Sequence, residues 1–213
     1  MKLMGHRGAR HEFAENTLRS IEIALEAGVK AIEIDVRLTQ DGELIVIHDA
    51  TVDRTTDGKG PVVELTLAKL RALDAGEGER LPTLTEVLEA VRGKAELFVE
   101  IKAKDCEAPV AKAIAGLEME AACWVKSFNH RWIKTLSAAY PKLRTGCLLY
   151  GLPADPVGLV RAAGGDLLSL SVDWVDVELV EACHAKGVTV CAWNCNDKEQ
   201  LPRFEAMGLD WLG

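Results

Sequence analysis

The sequence contains no apolar run that approaches the roughly 20 residues needed to span a bilayer. No apolar run follows Lys2 either, as it would in a signal peptide. Both absences predict a cytoplasmic protein that does not insert into a membrane. The amphipathic stretches leave no surplus apolar patch for an interface, so the sequence makes no prediction about the oligomeric state.

Positive charge is in short supply, because 25 Lys and Arg stand against 33 Asp and Glu, a formal net charge of −8. Nucleic acids and anionic membrane surfaces both need a basic patch, so neither is an expected partner. A small anionic substrate stays possible. A bound metal or a local pair of Arg and Lys side chains can reverse the charge inside a pocket.

Cysteine pairs of the CxxC type are absent, although the chain has six cysteines. Cys191 and Cys195 lie four residues apart, but no further Cys or His stands nearby at a spacing typical of zinc sites. We therefore expect buried, reduced thiols at all six positions, which are 106, 123, 147, 183, 191 and 195.

What the sequence does contain is an alternation of short apolar runs with amphipathic stretches. The eight apolar runs are KLMG, AIEIDVRL, LFVEIK, CWVKSF, RTGCLLY, DLLSLSV, VTVCAW and LDWLG. Helical spacing of apolar residues marks the segments 17–27, 84–91, 108–116, 133–139, 157–163, 177–186 and 199–207. Eight strand–helix units of roughly 25 residues predict the α/β class and a TIM (β/α)₈ barrel.

One segment departs from this alternation, because a second apolar run, ELIVIHD, closely follows AIEIDVRL. The dipeptide 41–42 between them is Asp-Gly, which predicts a tight hairpin turn. Pairing outward from a two-residue turn places Val46 opposite Arg37 and His48 opposite Asp35. The hairpin is therefore expected to bring His48 to the active-site end of the barrel.

Active sites of TIM barrels lie at the C-terminal ends of the strands, so polar residues at those positions are candidates for chemistry. Glu33 and Asp35 lie two apart on a strand and point to the same face. Glu100 ends the next strand of the barrel. Three such carboxylates repel one another without a cation, and their hard oxygens suit Mg²⁺, with Ca²⁺ or Mn²⁺ as alternatives. The competing interpretation is a set of barrel-mouth salt bridges with Arg7, Arg37 or Lys102.

His6 and His48 are the two histidines predicted at strand ends. Histidine titrates near neutral pH, so one ring can accept a proton while the other donates one. A single histidine in a core would need no such role, but two beside three carboxylates favour an acid–base pair. His11, His130 and His184 fall on loops or helices and are expected at the surface.

Arg7 and Lys102 supply positive charge at the same end of the barrel. A metal together with Arg and Lys is suited to a phosphodiester, whose non-bridging oxygens stay charged through the reaction. Trp193 could contact a carbon-rich part of the substrate, or it could be a packing residue. Phe128 is expected in the core.

These motifs together resemble the glycerophosphodiester phosphodiesterases over essentially the whole chain. The matching segments are GHRG at 5–8, ENT at 15–17, IEIDVRLTQDG at 32–42, IVIHD at 45–49, EIK at 100–102, SFN at 127–129 and AWN at 192–194. The resemblance implies a TIM barrel that hydrolyses glycerophosphodiesters, such as glycerophosphocholine and glycerophosphoethanolamine, to glycerol 3-phosphate and an alcohol. Members without signal peptides are often Mg²⁺-dependent, whereas secreted members are more often linked to Ca²⁺.

Carried onto this sequence, the resemblance implies His6 and His48 as the acid–base pair. It implies metal ligands at Glu33, Asp35 and Glu100, and it places Arg7 and Lys102 on the phosphate. Two features depart from the family pattern. Ala14 stands where a Pro is common, and the family usually continues beyond LDWLG into a Thr-Asp-Arg-Pro-like segment and a closing helix. The single domain, residues 1–213, is therefore expected to be truncated at its C-terminus.

The attacking group could be water or the neighbouring glycerol 2-hydroxyl, which would give a cyclic phosphate that is opened later. Two other functions are compatible with the same residues: a phospholipase-type barrel that acts on intact lipid, and a non-catalytic barrel that binds a glycerol phosphate. The first needs an apolar rim, whereas the loops ARHEFAE, DATVDRTTDGKG and NCNDKEQ are polar. The second has no need of two histidines.

Overall fold

The eight apolar runs form the eight parallel strands of a closed barrel in the computed structural model, which describes residues 1–213. The barrel strands are β1 (Lys2–His6), β2 (Ala31–Leu38), β4 (Glu96–Ile101), β5 (Cys123–Ser127), β6 (Arg144–Leu149), β7 (Leu167–Ser171), β8 (Thr189–Trp193) and β9 (Trp211–Leu212). Each strand pairs with the next in this order. β9 closes the barrel, because Trp211 pairs with both Lys2 and Cys191. The predicted TIM barrel is confirmed.

The helices cover the outside of the barrel. They are α1 (Leu18–Glu26), α2 (Leu67–Leu70), α3 (Leu84–Val91), α4 (Glu107–Gly116), α5 (His130–Ala139), α6 (Pro156–Ala162), α7 (Val177–His184) and α8 (Leu201–Ala206). Only α2 was not predicted, because its four residues are too few to show a helical period. The longest helices have ten residues, and none is long and apolar enough to cross a membrane.

The period of β2 decides which side chains enter the barrel. Ile32 and Ile34 face outward and pack in the larger core cluster with residues of α1, α3 and α4. The alternate residues Ala31, Glu33 and Asp35 therefore face the interior. Ala31 belongs to a seven-residue apolar cluster that fills the barrel on the N-terminal side of the carboxylates. The strand thus supplies core packing on one face and the candidate site on the other.

The predicted hairpin exists, but its register differs by one residue from the prediction. Val46 of β3 (Leu44–Val46) pairs with Val36 rather than with Arg37. The loop has three residues instead of two, because Gly42 adopts a left-handed conformation with φ of 81°. Its N–H donates to the Thr39 carbonyl at 3.1 Å. A type I turn followed by a left-handed glycine is the usual geometry of a three-residue hairpin loop.

His48 is consequently not opposite Asp35, and that pairing prediction is wrong. Ile47 takes the position instead, because its N–H donates to the Asp35 carbonyl at 2.9 Å. His48 still reaches the barrel mouth, since it follows the end of β3. The hairpin can form because β1 covers only the first part of the β2 edge and leaves residues 36–38 free for β3.

β3 and the segment that follows it share a small core of their own. Seven buried apolar side chains pack there, namely Ile45, Ile47, Val52, Val62, Leu70, Ala75 and Leu81. This cluster lies apart from the two large clusters between the barrel and its helices. The segment that carries His48 is therefore well packed rather than a loose loop.

Gly8 provides a test of how tightly the loop after β1 is fixed. Gly8 has φ of 77°, and an added Cβ would lie 2.7 Å from the Ser20 backbone carbon. Gly28 has φ of 85°, but an added Cβ there would meet nothing within 4 Å. We expect Gly28→Ala to cost about 1–2 kcal/mol from backbone strain alone. Gly8→Ala should cost about 1–3 kcal/mol more, because it also overpacks against α1.

Urea denaturation of both variants measures the difference directly. Equal losses of unfolding free energy for the two variants would contradict the close packing of the Gly8 loop against α1.

Candidate active site

The three predicted carboxylates converge at the C-terminal mouth of the barrel. Glu33 and Asp35 come from β2, and Glu100 is paired beside Asp35 on β4. One oxygen from each lies within 4.8 Å of the others. All three side chains are buried, with residue exposures of 1%, 0% and 6%. The strand register thus produces a concentrated negative charge at one point.

Two predicted cations lie directly against this cluster. Arg7 Nε is 3.1 Å from Asp35 Oδ2. Lys102 Nζ is 3.3 Å from Asp35 Oδ1 and 2.5 Å from Glu100 Oε1. Arg37, the third cation considered from the sequence, instead donates to the main-chain carbonyls of His48 and Lys102. The ion pairs anticipated with Arg7 and Lys102 are therefore present, and the one with Arg37 is not.

Besides Arg7 and Lys102, the cluster is contacted by Lys126, which was not singled out from the sequence. Its side chain is 2% exposed, and Nζ lies 3.3 Å from Glu33 Oε1. Burial lowers the pKa of Lys126, but the negative charges of Glu33, Glu100 and Asp35 outweigh it and the net shift is upward. The signal was a lysine within the apolar run CWVKSF, two residues after the inward-facing Trp124. In a barrel strand, that spacing points the lysine inward.

Asn16 is a second contributor that was not singled out from the sequence. Thr17 is the cap, since its hydroxyl accepts from the Ser20 N–H at 3.2 Å. Asn16 has φ of 60° and is buried, and its Nδ2 donates to Asp35 Oδ2 at 3.2 Å. The ENT motif therefore caps a helix with one residue and positions a carboxylate with its neighbour.

The carboxylate cluster has the properties of a site for a divalent cation. Four of its buried oxygens accept no well-directed hydrogen bond, namely both of Glu33, Oδ1 of Asp35 and Oε1 of Glu100. Burial, followed by the charges of Asp35 and Glu33, raises the pKa of Glu100 to about 7. Lysine ammonium groups lie within 3.3 Å of three of these oxygens, namely Glu33 Oε1, Asp35 Oδ1 and Glu100 Oε1. A hard cation would add the coordination that such carboxylate oxygens favour. The donor set fits Mg²⁺, Ca²⁺ or Mn²⁺.

His6 lies at the end of β1 beside the carboxylates. Its Nε2 is 3.6 Å from Glu33 Oε2, and its Nδ1 is buried without a hydrogen-bond partner. Burial, followed by the charges of Arg7, Lys126 and Arg10, lowers the pKa of His6 to about 2. The ring is therefore neutral at physiological pH.

His48 is held from one side by its neighbour Asp49. Nδ1 of His48 lies 2.6 Å from Asp49 Oδ1. The hydrogen bond from Arg54 holds the pKa of Asp49 well below its usual range. An ionised carboxylate can only accept, so Nδ1 of His48 is the donor. Nε2 is the ring nitrogen that remains available for the substrate.

Both histidines line one cavity of about 270 Å³, together with Glu33, Glu100 and Lys102. Arg7 lines the same cavity. The apolar part of the cavity wall consists of Phe128, Leu148 and Trp193. The structure thus brings seven of the eight predicted site residues to the cavity wall, and the eighth, Asp35, contacts Arg7 and Lys102 of that wall.

Phe128 corrects a prediction, because it is 47% exposed rather than in the core. It directly follows β5 and stands edge-to-face with Trp193, with ring centroids 6.0 Å apart. Trp193 is therefore part of the cavity wall.

The remaining histidines and cysteines behave mostly as expected. His11 and His184 are exposed. His130 is half-buried, with Nε2 2.9 Å from the Leu148 carbonyl oxygen, so its expected surface position is wrong. Five of the six cysteines are buried and Cys195 is half-buried, and none forms a disulfide. These residues lie outside the carboxylate cluster.

Comparison with known proteins was made on both sequence and structure. The family profile described as "Glycerophosphoryl diester phosphodiesterase family" matches residues 6–213. A glycerophosphodiester phosphodiesterase from Caldanaerobacter subterraneus subsp. tengcongensis is 36% identical over 226 residues, covering 99% of this chain and 92% of the relative. The crystal structure of a glycerophosphodiester phosphodiesterase from Agrobacterium tumefaciens superposes with a TM-score of 0.90 at 30% identity, covering 100% of this chain and 95% of that one.

A phosphodiesterase from Oleispira antarctica, solved in complex with the product sn-glycerol-3-phosphate, superposes with a TM-score of 0.89 at 28% identity. The match covers 100% of this chain and 92% of that one. Profile, relative and structures agree in fold, extent and family. The chain therefore belongs to the glycerophosphoryl diester phosphodiesterase family, and it is an enzyme of the hydrolase class.

Proposed function

We propose that this chain hydrolyses glycerophosphodiesters, such as glycerophosphocholine and glycerophosphoethanolamine, to glycerol 3-phosphate and an alcohol in a reaction that depends on a divalent cation. The observation that carries the proposal is one cavity lined by two histidines and by carboxylates whose buried oxygens accept no well-directed hydrogen bond. Glycerol 3-phosphate is the product bound to the Oleispira antarctica neighbour. The substrate is thus a small anionic molecule.

Glu33, Asp35 and Glu100 would hold the cation, with Mg²⁺ as the expected ion and Ca²⁺ or Mn²⁺ as alternatives. A bound divalent cation supplies Lewis-acid stabilisation of charge on a phosphate oxygen. The chain's own cations have a matching role. Arg7 and Lys102 line the cavity and can donate to the non-bridging oxygens, which stay charged throughout phosphoryl transfer.

His6 and His48 act as the acid–base pair. One imidazole accepts the proton of the attacking hydroxyl or water, and the other donates a proton to the departing alkoxide. The shared cavity supports this pairing, because both rings line it and can face one bound diester. Trp193 and Phe128 form the apolar wall against which a carbon-rich arm of the diester packs.

A phospholipase-type activity on intact lipid is the second candidate, because the rim is more apolar than the three loops considered from the sequence. Large side chains are exposed after three consecutive strands, β5, β6 and β7. They include Phe128, Tyr150, Leu152 and Trp174. Tyr150 is 75% exposed.

The non-catalytic alternative, a barrel that only binds a glycerol phosphate, leaves the histidine pair without a role. The cytoplasmic location expected from the sequence stays a prediction.

The proposal predicts metal-dependent release of glycerol 3-phosphate. We expect no release from glycerophosphocholine or glycerophosphoethanolamine in EDTA, and activity restored by Mg²⁺, Mn²⁺ or Ca²⁺. Intact phosphatidylcholine, assayed in parallel, tests the second candidate.

His6→Ala and His48→Ala should each lower kcat by about 10²–10⁴-fold if each ring transfers a proton.

His184→Ala is the matched control, because His184 is an exposed histidine at the end of α7 whose Nε2 contacts Asp210. It should retain nearly full activity. A folded protein that releases no product with any ion would favour the binding function. A mild loss in both active-site variants would rule out the acid–base assignment.

Lys126 predicts a stability effect that depends on the metal. Lys126→Met leaves Glu33 as an uncompensated buried charge, which typically costs about 3–5 kcal/mol. We expect that loss of unfolding free energy in EDTA. The loss should be smaller with saturating Mg²⁺, because ion binding to the folded state stabilises it and supplies the missing positive charge.

Lys104→Met is the control for this measurement, because Lys104 and its partner Asp105 are both exposed. Its unfolding free energy should change little in either condition. An equal loss for Lys126→Met with and without Mg²⁺ would contradict the assignment of the carboxylate cluster as a cation site.

A further inference from the structure

Arg54 lies between two carboxylates that belong to different loops of the barrel mouth. Its Nε donates to Asp49 Oδ2 at 2.6 Å, and one terminal nitrogen donates to Asp49 Oδ1 at 3.1 Å. The terminal nitrogens also donate to Glu15 Oε2 at 3.1 Å and Oε1 at 2.8 Å. One guanidinium therefore joins the loop after β1 to the segment after β3.

On one side, this contact reaches the catalytic imidazole through Asp49. Asp49 receives two hydrogen bonds from Arg54 and one from Nδ1 of His48, the last at 2.6 Å. A neutral imidazole carries a single N–H. A donor role for Nδ1 therefore leaves Nε2 as the acceptor or shuttling nitrogen. The position and charge of Asp49 thus decide the tautomer of His48.

On the other side, the contact reaches the phosphate-facing cation through Glu15. Glu15 accepts from Arg7 at 3.0 Å, and Arg7 in turn contacts Asp35. Burial alone would raise the pKa of Glu15, but the hydrogen bond from Arg54 and the charge of Arg7 lower it to about 2. Glu15 is therefore an anion held between two arginines, and it fixes the direction in which Arg7 points.

Arg54 itself is outside the catalytic cavity. Its side chain is 49% exposed, and it lines a separate surface cavity of about 460 Å³ together with Glu15. It contacts the acid–base pair only through other residues. Any effect of Arg54 on turnover must therefore be transmitted by Asp49 and Glu15.

We propose that Arg54 is a positioning residue that sets the tautomer of His48 through Asp49 and the orientation of Arg7 through Glu15. The proposal rests on the proposed function, because it assigns His48 an acid–base role. The planar fork of arginine suits this task, since it can engage two carboxylates at once in fixed directions. A lysine ammonium would supply the charge without the two-sided geometry.

The first test is the tautomer of His48 in the unaltered protein. Nitrogen-15 NMR of histidine-labelled protein distinguishes an Nδ1–H ring from an Nε2–H ring, and the spectrum of His48→Asn identifies the signal. We expect the Nδ1–H form to predominate. A predominant Nε2–H form would overturn the proposal without the need for any Arg54 variant.

The second test combines kinetics with the same spectrum in Arg54→Gln. We expect kcat to fall about 10–100-fold, as is typical when a partner that orients a functional group is removed. KM should rise by a smaller factor than kcat falls, because Arg54 reaches the phosphate-facing Arg7 only indirectly, through Glu15. The His48 signal should shift towards a mixture of tautomers. Arg54→Lys should recover only part of the lost kcat.

Arg71→Gln is the matched control. Arg71 donates to both oxygens of Glu86 at 2.7 and 2.6 Å and is likewise partly exposed, but it lines a different cavity. Its kcat and the His48 spectrum should match those of the unaltered protein. A general effect of losing a surface arginine would appear in both variants.

The outcomes separate this proposal from the proposed function. If the unaltered protein is active and His48→Asn is not, but Arg54→Gln behaves like Arg71→Gln, the positioning role is wrong and the catalytic role of His48 stands. A fall in kcat with an unchanged His48 tautomer also overturns the proposal. Full activity in Arg54→Lys would contradict the need for a fork. An inactive unaltered protein would instead count against the proposed function.

Discussion

Mutual repulsion among three buried carboxylates is the constraint on which the rest of this structure depends. Oxygens of Glu33, Asp35 and Glu100 lie within 4.8 Å of one another at positions almost closed to solvent. Such a cluster is unfavourable unless positive charge stands beside it. The chain supplies that charge from three directions: Arg7 follows β1, Lys102 follows β4, and Lys126 rises from inside the barrel on β5. Four of the buried carboxylate oxygens still accept no well-directed hydrogen bond.

From this cluster outward, positively and negatively charged side chains alternate along a chain of contacts. Arg7 meets Glu15, Glu15 meets Arg54, and Arg54 meets Asp49, which holds His48. Isolated surface ion pairs contribute little to stability, but a network of fixed geometry can orient the groups that it contains. The segment after β3, which carries His48, Asp49 and Arg54, packs on an apolar core of its own. This packing holds the outer residues of the network in place. The loops therefore behave as part of the site rather than as connections between strands.

Much of this could be read from the sequence because it follows from periodicity. Spacing of two on a strand put Glu33 and Asp35 on one face, and apolar runs at regular intervals gave the barrel. The hairpin register failed by one residue, because Asp-Gly suits both a two-residue turn and a three-residue loop with left-handed Gly42. Phe128 was misjudged and Lys126 was missed for a different reason. Whether a residue near a strand end faces the interior or the rim depends on where the strand stops, and apolar composition alone does not fix that point.

We infer that Glu33, Asp35 and Glu100 together bind one divalent cation. Calorimetric titration of Mn²⁺ into chelator-treated protein tests it most directly, with Glu100→Gln titrated in parallel. We expect one saturable ion per chain. The variant should lose much of its affinity, because one of three hard carboxylate ligands is replaced by a neutral amide. An absence of saturable binding, or binding that Glu100→Gln leaves unchanged, would contradict it.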